Sequence, residues 1–386
     1  MKVMAQWAES LSTLNPKQYF FQSFALLKDI LNYDLSQSLT GLSIFTEGVS
    51  LFMWTGISFK MSRKMLDYSK NAGAENHPAS LIDYRFVLKM HYFHTGQIEE
   101  DPDFLNVYHA GMSVGDHWPT TIYSVYSGLT CVELGKYDRL IEIVKKIEEI
   151  SESFDNSHTK AQMYRLSVMA HYRFRMIDHT LELSEAGISY TVKTGHFAML
   201  LVIWCAKSLA HTAKKELDAA KKALAEAEKL VKDRKIITIY HFPYQQAKAY
   251  IQFMELTLAI ERKEKVSEKA RSLQKTINLL ISLSKKMRSA QPEVYRLKAL
   301  TFWILGKQRK AYKNFTISIQ AGQKYNCQLE LSRTYFEAGK CLREVKSIKS
   351  SLLGINGSEY LLMAKRMFEE MDLQWDLKEY EKYLEN

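Results

Sequence analysis

The stretch from Pro292 to Gly322, PEVYRLKALTFWILGKQRKAYKNFTISIQAG, decides the fold. Ala299 and Phe302 lie in its first part, Gly306 interrupts it, and Ala311 and Phe315 stand four residues apart in its second part. Each residue type has a physical reason. A small side chain lets two paired helices approach closely, and an aromatic ring fills the space beside it. Glycine adopts the left-handed backbone that ends a helix at low cost. The stretch therefore reads as two antiparallel helices joined by a tight turn.

The same unit returns along the chain. A second copy runs from Thr120 to about Ile150, with Gly128 and Cys131 in its first helix and a turn at Leu134-Gly135-Lys136-Tyr137. Its second helix carries Leu140, Ile143, Val144 and Ile147 at spacings of three and four, which makes one apolar stripe. Leu217, Ala220, Leu224, Ala227 and Val231 form another such stripe. Further turns are expected at Gly96, around Ala213 to Glu216, and at Gly339, and a last unit at Ser358 to Met371 with Ser358 as its helix cap. No segment reads as a strand. Spacing and residue types resemble the tetratricopeptide (TPR) pattern of roughly 34 residues. The expected fold is all-α, a superhelix of antiparallel helix pairs in which each pair covers the apolar face of the one before. Residues 1–78 read as divergent N-terminal helices, 79–342 as TPR-like repeats, 343–357 as a Ser-, Lys- and Gly-rich loop, and 358–386 as capping helices. All are taken as one continuous array.

Lys and Arg number 53 against 43 Asp and Glu, a formal charge of +10. That excess favours acidic partners but is interleaved with acids at helical spacing, as in Asp218/Lys222, Glu228/Lys232 and Glu261/Lys265, so it reads mainly as a solvated surface. Cys131, Cys205, Cys327 and Cys341 form no C-x-x-C pair and read as buried, reduced thiols. The apolar run from Phe197 to Ala206 reaches only about half of the roughly 20 residues that cross a bilayer. Lys2, Glu9 and Asn15 do not frame an export signal. No transmembrane segment is expected, and the cytoplasm is the expected location.

Catalytic chemistry is hard to place on this chain. Gly-Lys occurs at Gly135-Lys136, Gly306-Lys307 and Gly339-Lys340, followed by Tyr, Gln and Cys, so none completes a P-loop. All three are expected at turns between helices. His91 and His94 lie one helical turn apart, with His109 and His117 following, yet no acidic residue completes an H-E-x-x-H motif and Phe86, Met90 and Phe93 suggest packing. No catalytic residue, cofactor or metal site is assigned. The one candidate surface is basic: Lys285, Lys286, Arg288, Lys307, Arg309, Lys310 and Lys313 could receive an acidic or phosphorylated peptide. It lacks the interleaved aromatics of a single-stranded nucleic-acid track, so no specific nucleic acid is expected.

Several blocks carry a more particular likeness. They are Trp118 to Glu149, YHFPY at Tyr240–Tyr244, QPEVYRL at Gln291–Leu297, LELSRTYF at Leu329–Phe336, and Tyr360 to Leu377 ending in FEEMDLQWDL. From about Ala79 onward their order resembles the carboxy-terminal helical region of large multidomain nucleotide cyclases. In that family class III adenylate or guanylate cyclase domains precede an AAA- or STAND-type ATPase module and a long TPR-like tail. Related tails occur in ATP-dependent signal-transduction and transcription regulators. Neither the cyclase's metal-binding aspartates nor the ATPase's phosphate loop is found here, and Met1 opens within helical sequence. The resemblance thus implies a regulatory arm without its engine: a stand-alone relative, a fragment of a longer protein, or a subunit acting in trans. The expected function is a non-catalytic scaffold binding a protein partner, such as a cyclase or ATPase module or an acidic peptide. A small-molecule-sensing domain is the alternative.

Overall fold

The structure, a computed structural model, describes residues 16–30, 32–233 and 238–385. Residues 1–15 of the expected N-terminal helices lie outside the described residues. The chain is all-α, with eighteen α-helices among the described residues. The first six are α1 (Pro16–Ile30), α2 (Leu39–Thr55), α3 (Phe59–Asn71), α4 (Pro78–Thr95), α5 (Phe104–Ser113) and α6 (His117–Leu134). Next come α7 (Tyr137–Ser153), α8 (Ser157–Arg173), α9 (Ile177–Thr194), α10 (Phe197–Ala213), α11 (Leu217–Asp233) and α12 (Thr238–Glu261). The last are α13 (Ser267–Ser284), α14 (Gln291–Ile304), α15 (Gln308–Lys324), α16 (Gln328–Arg343), α17 (Gly357–Glu370) and α18 (Gln374–Glu385). None is long and apolar enough to cross a membrane.

Each helix packs on the next, and each even-numbered helix from α2 to α14 also packs on the following even-numbered one. The even-numbered helices therefore form an inner row and the odd-numbered ones an outer row. Composition explains the split. Helix α6 buries nearly its whole surface and α10 most of it, whereas α7 buries one isoleucine-rich stripe and α11 buries only Ala220, Ala223 and Ala227. The run from Phe197 to Ala206 is thus an inner helix, as its even hydrophobicity predicts. Ala299, Ala311 and Phe315 are fully buried. Of the three surface pairs expected from helical spacing, Glu228–Lys232 forms, at 3.0 Å.

The inner row closes on itself. Helix α16 packs on α6, α12 packs on α2, and the 3₁₀ turn Arg288–Ala290 packs on α4. Lys286 Nζ donates to the Thr55 carbonyl at 3.1 Å, and Asn326 Nδ2 donates to the Ile98 carbonyl at 3.0 Å. Gly96 sits at one of these crossings with φ +77°, and a Cβ there would stand 2.4 Å from the Tyr325 ring. Both the backbone and the contact exclude a side chain, so Gly96→Ala is expected to cost about 1–3 kcal/mol. Urea unfolding reads this directly, and an unchanged midpoint would show that α4 and the α15–α16 turn do not meet.

Three local expectations need correction. Gly339 is not a turn but lies inside α16, where a Cβ would stand 2.9 Å from Leu361 and 3.0 Å from the Gly357 carbonyl. It serves close packing of α16 on α17, so Gly339-Lys340 is helical while the other two Gly-Lys pairs are turns. A strand pair does occur: Ser351–Leu352 (β1) pairs antiparallel with Ile355–Asn356 (β2). Leu353 and Gly354, at φ +54° and +81°, supply the two left-handed residues that a two-residue hairpin needs. The cap of α17 is Asn356 rather than Ser358. Its side chain accepts from the Glu359 N–H while Glu359 accepts from the Asn356 N–H, a reciprocal capping box.

Candidate functional site

The inward faces of the inner helices carry charge where a core would be expected to be apolar. Glu133 lies near the end of α6, Arg173 ends α8, and Arg175 follows it in the turn. Glu293 and Arg296 stand one turn apart on α14, Glu330 and Arg333 repeat that spacing on α16, and Asp376 comes from α18. The i, i+3 spacing puts each pair on one helix face. Glu330 is the hub, with its side chain only 2% exposed. Its Oε2 accepts from Arg296 Nη2 at 2.7 Å, and its Oε1 lies 3.4 Å from Arg173 and 3.5 Å from Arg333.

The network extends in both directions. Arg333 grips Asp376 with two bonds of 3.0 and 2.8 Å, and its Nη2 also donates to the Arg173 carbonyl at 2.7 Å. Arg175 reaches the same Asp376 through Nε at 3.3 Å. On the other side Arg173 donates to Glu133 at 3.1 Å. Glu293 accepts from Gln246 at both oxygens and from the Tyr250 hydroxyl, each at 2.8 Å. Four arginines thus meet four carboxylates drawn from helices far apart in sequence, so the closure of the inner row is what assembles them.

Their electrostatics differ with the number of partners. Burial opposes ionisation of Glu330, but Arg296, Arg173 and Arg333 outweigh it and hold the carboxyl well below its usual range. Burial also works against the charge on Arg173, and Glu133, Glu330 and Glu293 outweigh it. Glu133 has one cation, Arg173, and that does not suffice: burial, aided by Glu330 and Glu293, pushes its carboxyl up to about 7. The two ends of this ion pair therefore respond differently, because Arg173 has other carboxylates and Glu133 has no second arginine.

Two adjoining cavities open beside the network. One, of about 100 Å³, lies between α6, α8, α10 and α12 and is walled by Tyr126, Met169, Val202, Tyr240 and Phe242, with Arg173 and Glu293 at its edge. The other, of about 360 Å³, lies between α8, α10, α12, α14 and α16. Phe253, Met254 and Leu258 form its apolar wall, and Arg175, Arg296 and Arg333 its charged one. Tyr172, Arg173, Leu209 and Glu293 line both. An apolar chamber with a few convergent polar groups suits a small molecule with an apolar body and a charged head.

Comparison with protein-family models gives no match, and comparison with curated proteins gives none. The site's chemistry rests on its own geometry.

The seven basic residues singled out from sequence differ in exposure. Lys286 is spent within the chain, its ammonium on the Thr55 carbonyl and its stem against Gly56. Arg288 is half-buried in the 3₁₀ turn, and Lys285 is exposed at the end of α13. Lys307, Arg309, Lys310 and Lys313 are exposed on or just before α15, with Lys310 lying over the Phe302 ring. The histidines act in packing. His94 Nδ1 donates to the Lys286 carbonyl at 3.1 Å and its Nε2 accepts from the Tyr126 hydroxyl at 3.2 Å, which fixes the neutral tautomer. His91 Nδ1 bonds to Ser62 Oγ at 2.8 Å, His109 is exposed, and the His117 ring stacks on Phe154. Burial pushes both His91 and His94 down to about 4. All four cysteines are free and buried.

Sequence reasoning missed the charge network. The signal was present as Glu-x-x-Arg twice, at Glu293/Arg296 and Glu330/Arg333, inside two of the blocks that carry the cyclase-tail likeness.

Proposed function

We propose that this chain is a TPR-like regulatory module, a superhelix of antiparallel helix pairs that binds a small anionic molecule in its inner cavity and relays that state to a protein partner. It carries no catalytic centre of its own in this reading, acts in the cytoplasm, and serves a nucleotide-cyclase- or ATPase-linked signalling system. The observation that carries the proposal is the cavity of about 360 Å³ with arginines on one wall and apolar side chains on the other. Chambers of roughly 300–1,000 Å³ with that division are typical small-molecule sites. The cyclase-tail likeness supports the signalling role, and its blocks contain Glu293, Arg296, Glu330, Arg333 and Asp376. Of these, Glu293, Arg296, Glu330 and Arg333 line the chamber as well as packing the helices. A closed inner row favours the sensing reading over docking of a long peptide, which needs an open groove.

Thermal-shift screening with nucleotides, phosphorylated sugars and short dicarboxylates tests this. A ligand that binds only the folded chain adds about 2.7 kcal/mol of stability at a hundred times its Kd. The wild type is expected to show a saturable rise in Tm with at least one such compound. Thr257→Trp, which fills the larger cavity from its α12 wall, is expected to abolish the response. An equal response in both proteins would remove the cavity as the site.

A further inference from the structure

One buried arginine stands outside the charge network. Arg165 lies on α8, about two turns before Arg173, and is 9% exposed. Arg173, Arg296 and Arg333 each meet a buried carboxylate, that of Glu133, Glu330 and Asp376 respectively. Among the described residues Arg165 forms no ion pair. Its guanidinium bonds to the Tyr240 hydroxyl, and its Nε is buried without a partner. Its charge acts on Tyr126, Tyr240 and His158, each neutral at pH 7. A guanidinium keeps its proton inside a protein, so the charge persists, and a buried charge without a counter-ion is costly.

That charge borders a cavity. Arg165 lines the smaller inner chamber, of about 100 Å³, together with Phe93, Tyr126, Tyr240 and Phe242. The other cation on its wall, Arg173, is already held by Glu133 and Glu330. One uncompensated positive charge in an aromatic chamber is matched by one negative charge. A carboxylate brings it with two coplanar oxygens, which a guanidinium takes as a fork of two bonds, and a free Nε is one of the donors such a fork uses. A phosphate dianion fits less well, because Glu293 lines the same chamber and repels a second negative charge.

We propose that Arg165 receives the carboxylate of a small monocarboxylic acid whose apolar body lies among the aromatic rings of the smaller chamber. The inference rests on the reading that the inner cavities bind a small anion, and it adds the charge of that anion and the side chain that takes its head. Tyr240 holds the guanidinium from α12, so the seat lies between two inner helices, α8 and α12.

Calorimetric titration of the full-length protein with benzoate, phenylacetate and hexanoate, each against its neutral amide, tests the proposal. The wild type is expected to bind at least one acid with a stoichiometry near one, and the matching amide roughly 10- to 100-fold more weakly. Arg165→Met removes the charge and keeps most of the stem, so it is expected to bind the acid no better than the amide. Without ligand its Tm is expected to be no lower than that of the wild type, because a lone buried charge has gone. Arg165→Lys keeps the charge without the fork. It is expected to bind the acid roughly 10-fold more weakly, and it serves as the second variant should Arg165→Met fail to fold. Acid binding that both variants leave intact overturns the inference, as does an amide bound as tightly as its acid. Failure of all three acids to bind the wild type at millimolar concentration also overturns it, and a rise in Tm with nucleotides or phosphorylated sugars would then leave the larger chamber standing as the site. Loss of the acid in Thr257→Trp with retention in Arg165→Met places the ligand in the larger chamber and overturns this seat alone.

Discussion

Glu330→Gln is expected to cost about 3–5 kcal/mol of folding stability, the usual scale for removing one partner of a buried ion pair. The reason lies in what remains. Arg173, Arg296 and Arg333 all approach this carboxylate, between 2.7 and 3.5 Å, and glutamine supplies one neutral oxygen in its place. Removal of the negative charge leaves four arginines facing three carboxylates in the interior, and each guanidinium keeps its charge because it cannot deprotonate there. Urea unfolding of the two proteins at pH 7 measures the difference. The double variant Arg296→Met, Glu330→Leu is expected to lose less than the single one, since it removes the positive partner together with the negative. Equal losses would mean that packing volume, rather than charge, sets the cost.

Acid is expected to destabilise the fold, and the sign follows from which state takes up protons. His91 and His94 hold folded-state values near 4, below the ordinary 6.5. Their contribution is present above pH 6.5 and is lost as pH falls toward 4, because the unfolded chain accepts protons that the folded one refuses. Between pH 7 and 5 each histidine removes about 2 kcal/mol. Glu133 acts in the opposite sense: with a folded value of about 7 against 4.5, its contribution is fully present below pH 4.5 and fades as pH rises through 7. Over the same interval it returns about 2 kcal/mol, which offsets what one such histidine removes. Glu133→Gln removes the opposing contribution and is expected to deepen the loss between pH 7 and 5 by about 2 kcal/mol. Unfolding free energies at pH 5, 6 and 7 for wild type and variant give both slopes. A variant whose stability varies with pH as the wild type does would place the Glu133 proton elsewhere.

The all-α class was legible because small, aromatic and turn residues recur at helical spacing, and turns at Gly96, Gly135 and Gly306 are marked by glycine with positive φ. Other turns were harder to read for a physical reason. Asp155, Arg175, Lys215, Lys263, Asn326 and Asp372 take up the left-handed backbone without being glycine, so nothing in their identity announces the break. Gly339 misled in the other direction, since a glycine that permits close helix packing looks like one that ends a helix.

The charge network was hidden because a glutamate and an arginine one turn apart look like a solvated pair on an exposed face. Only the return of α16 onto α6 turns Glu330 and Arg333 inward, and contacts between positions 160 apart, such as Arg333 with Arg173, leave no periodic trace. The basic residues near Lys285 and Lys310 were conspicuous by number. Burial, which sequence does not report, separates Lys286 from its exposed neighbours.

Hydrogen–deuterium exchange on wild type and Glu330→Gln tests most directly whether the buried charges tie distant helices into one closed unit around the cavity. The expected result is faster exchange in α6, α8, α14, α16 and α18 together, with the outer helices α11 and α13 little changed. Faster exchange confined to α16 would contradict the closure, because the hub would then serve its own helix alone.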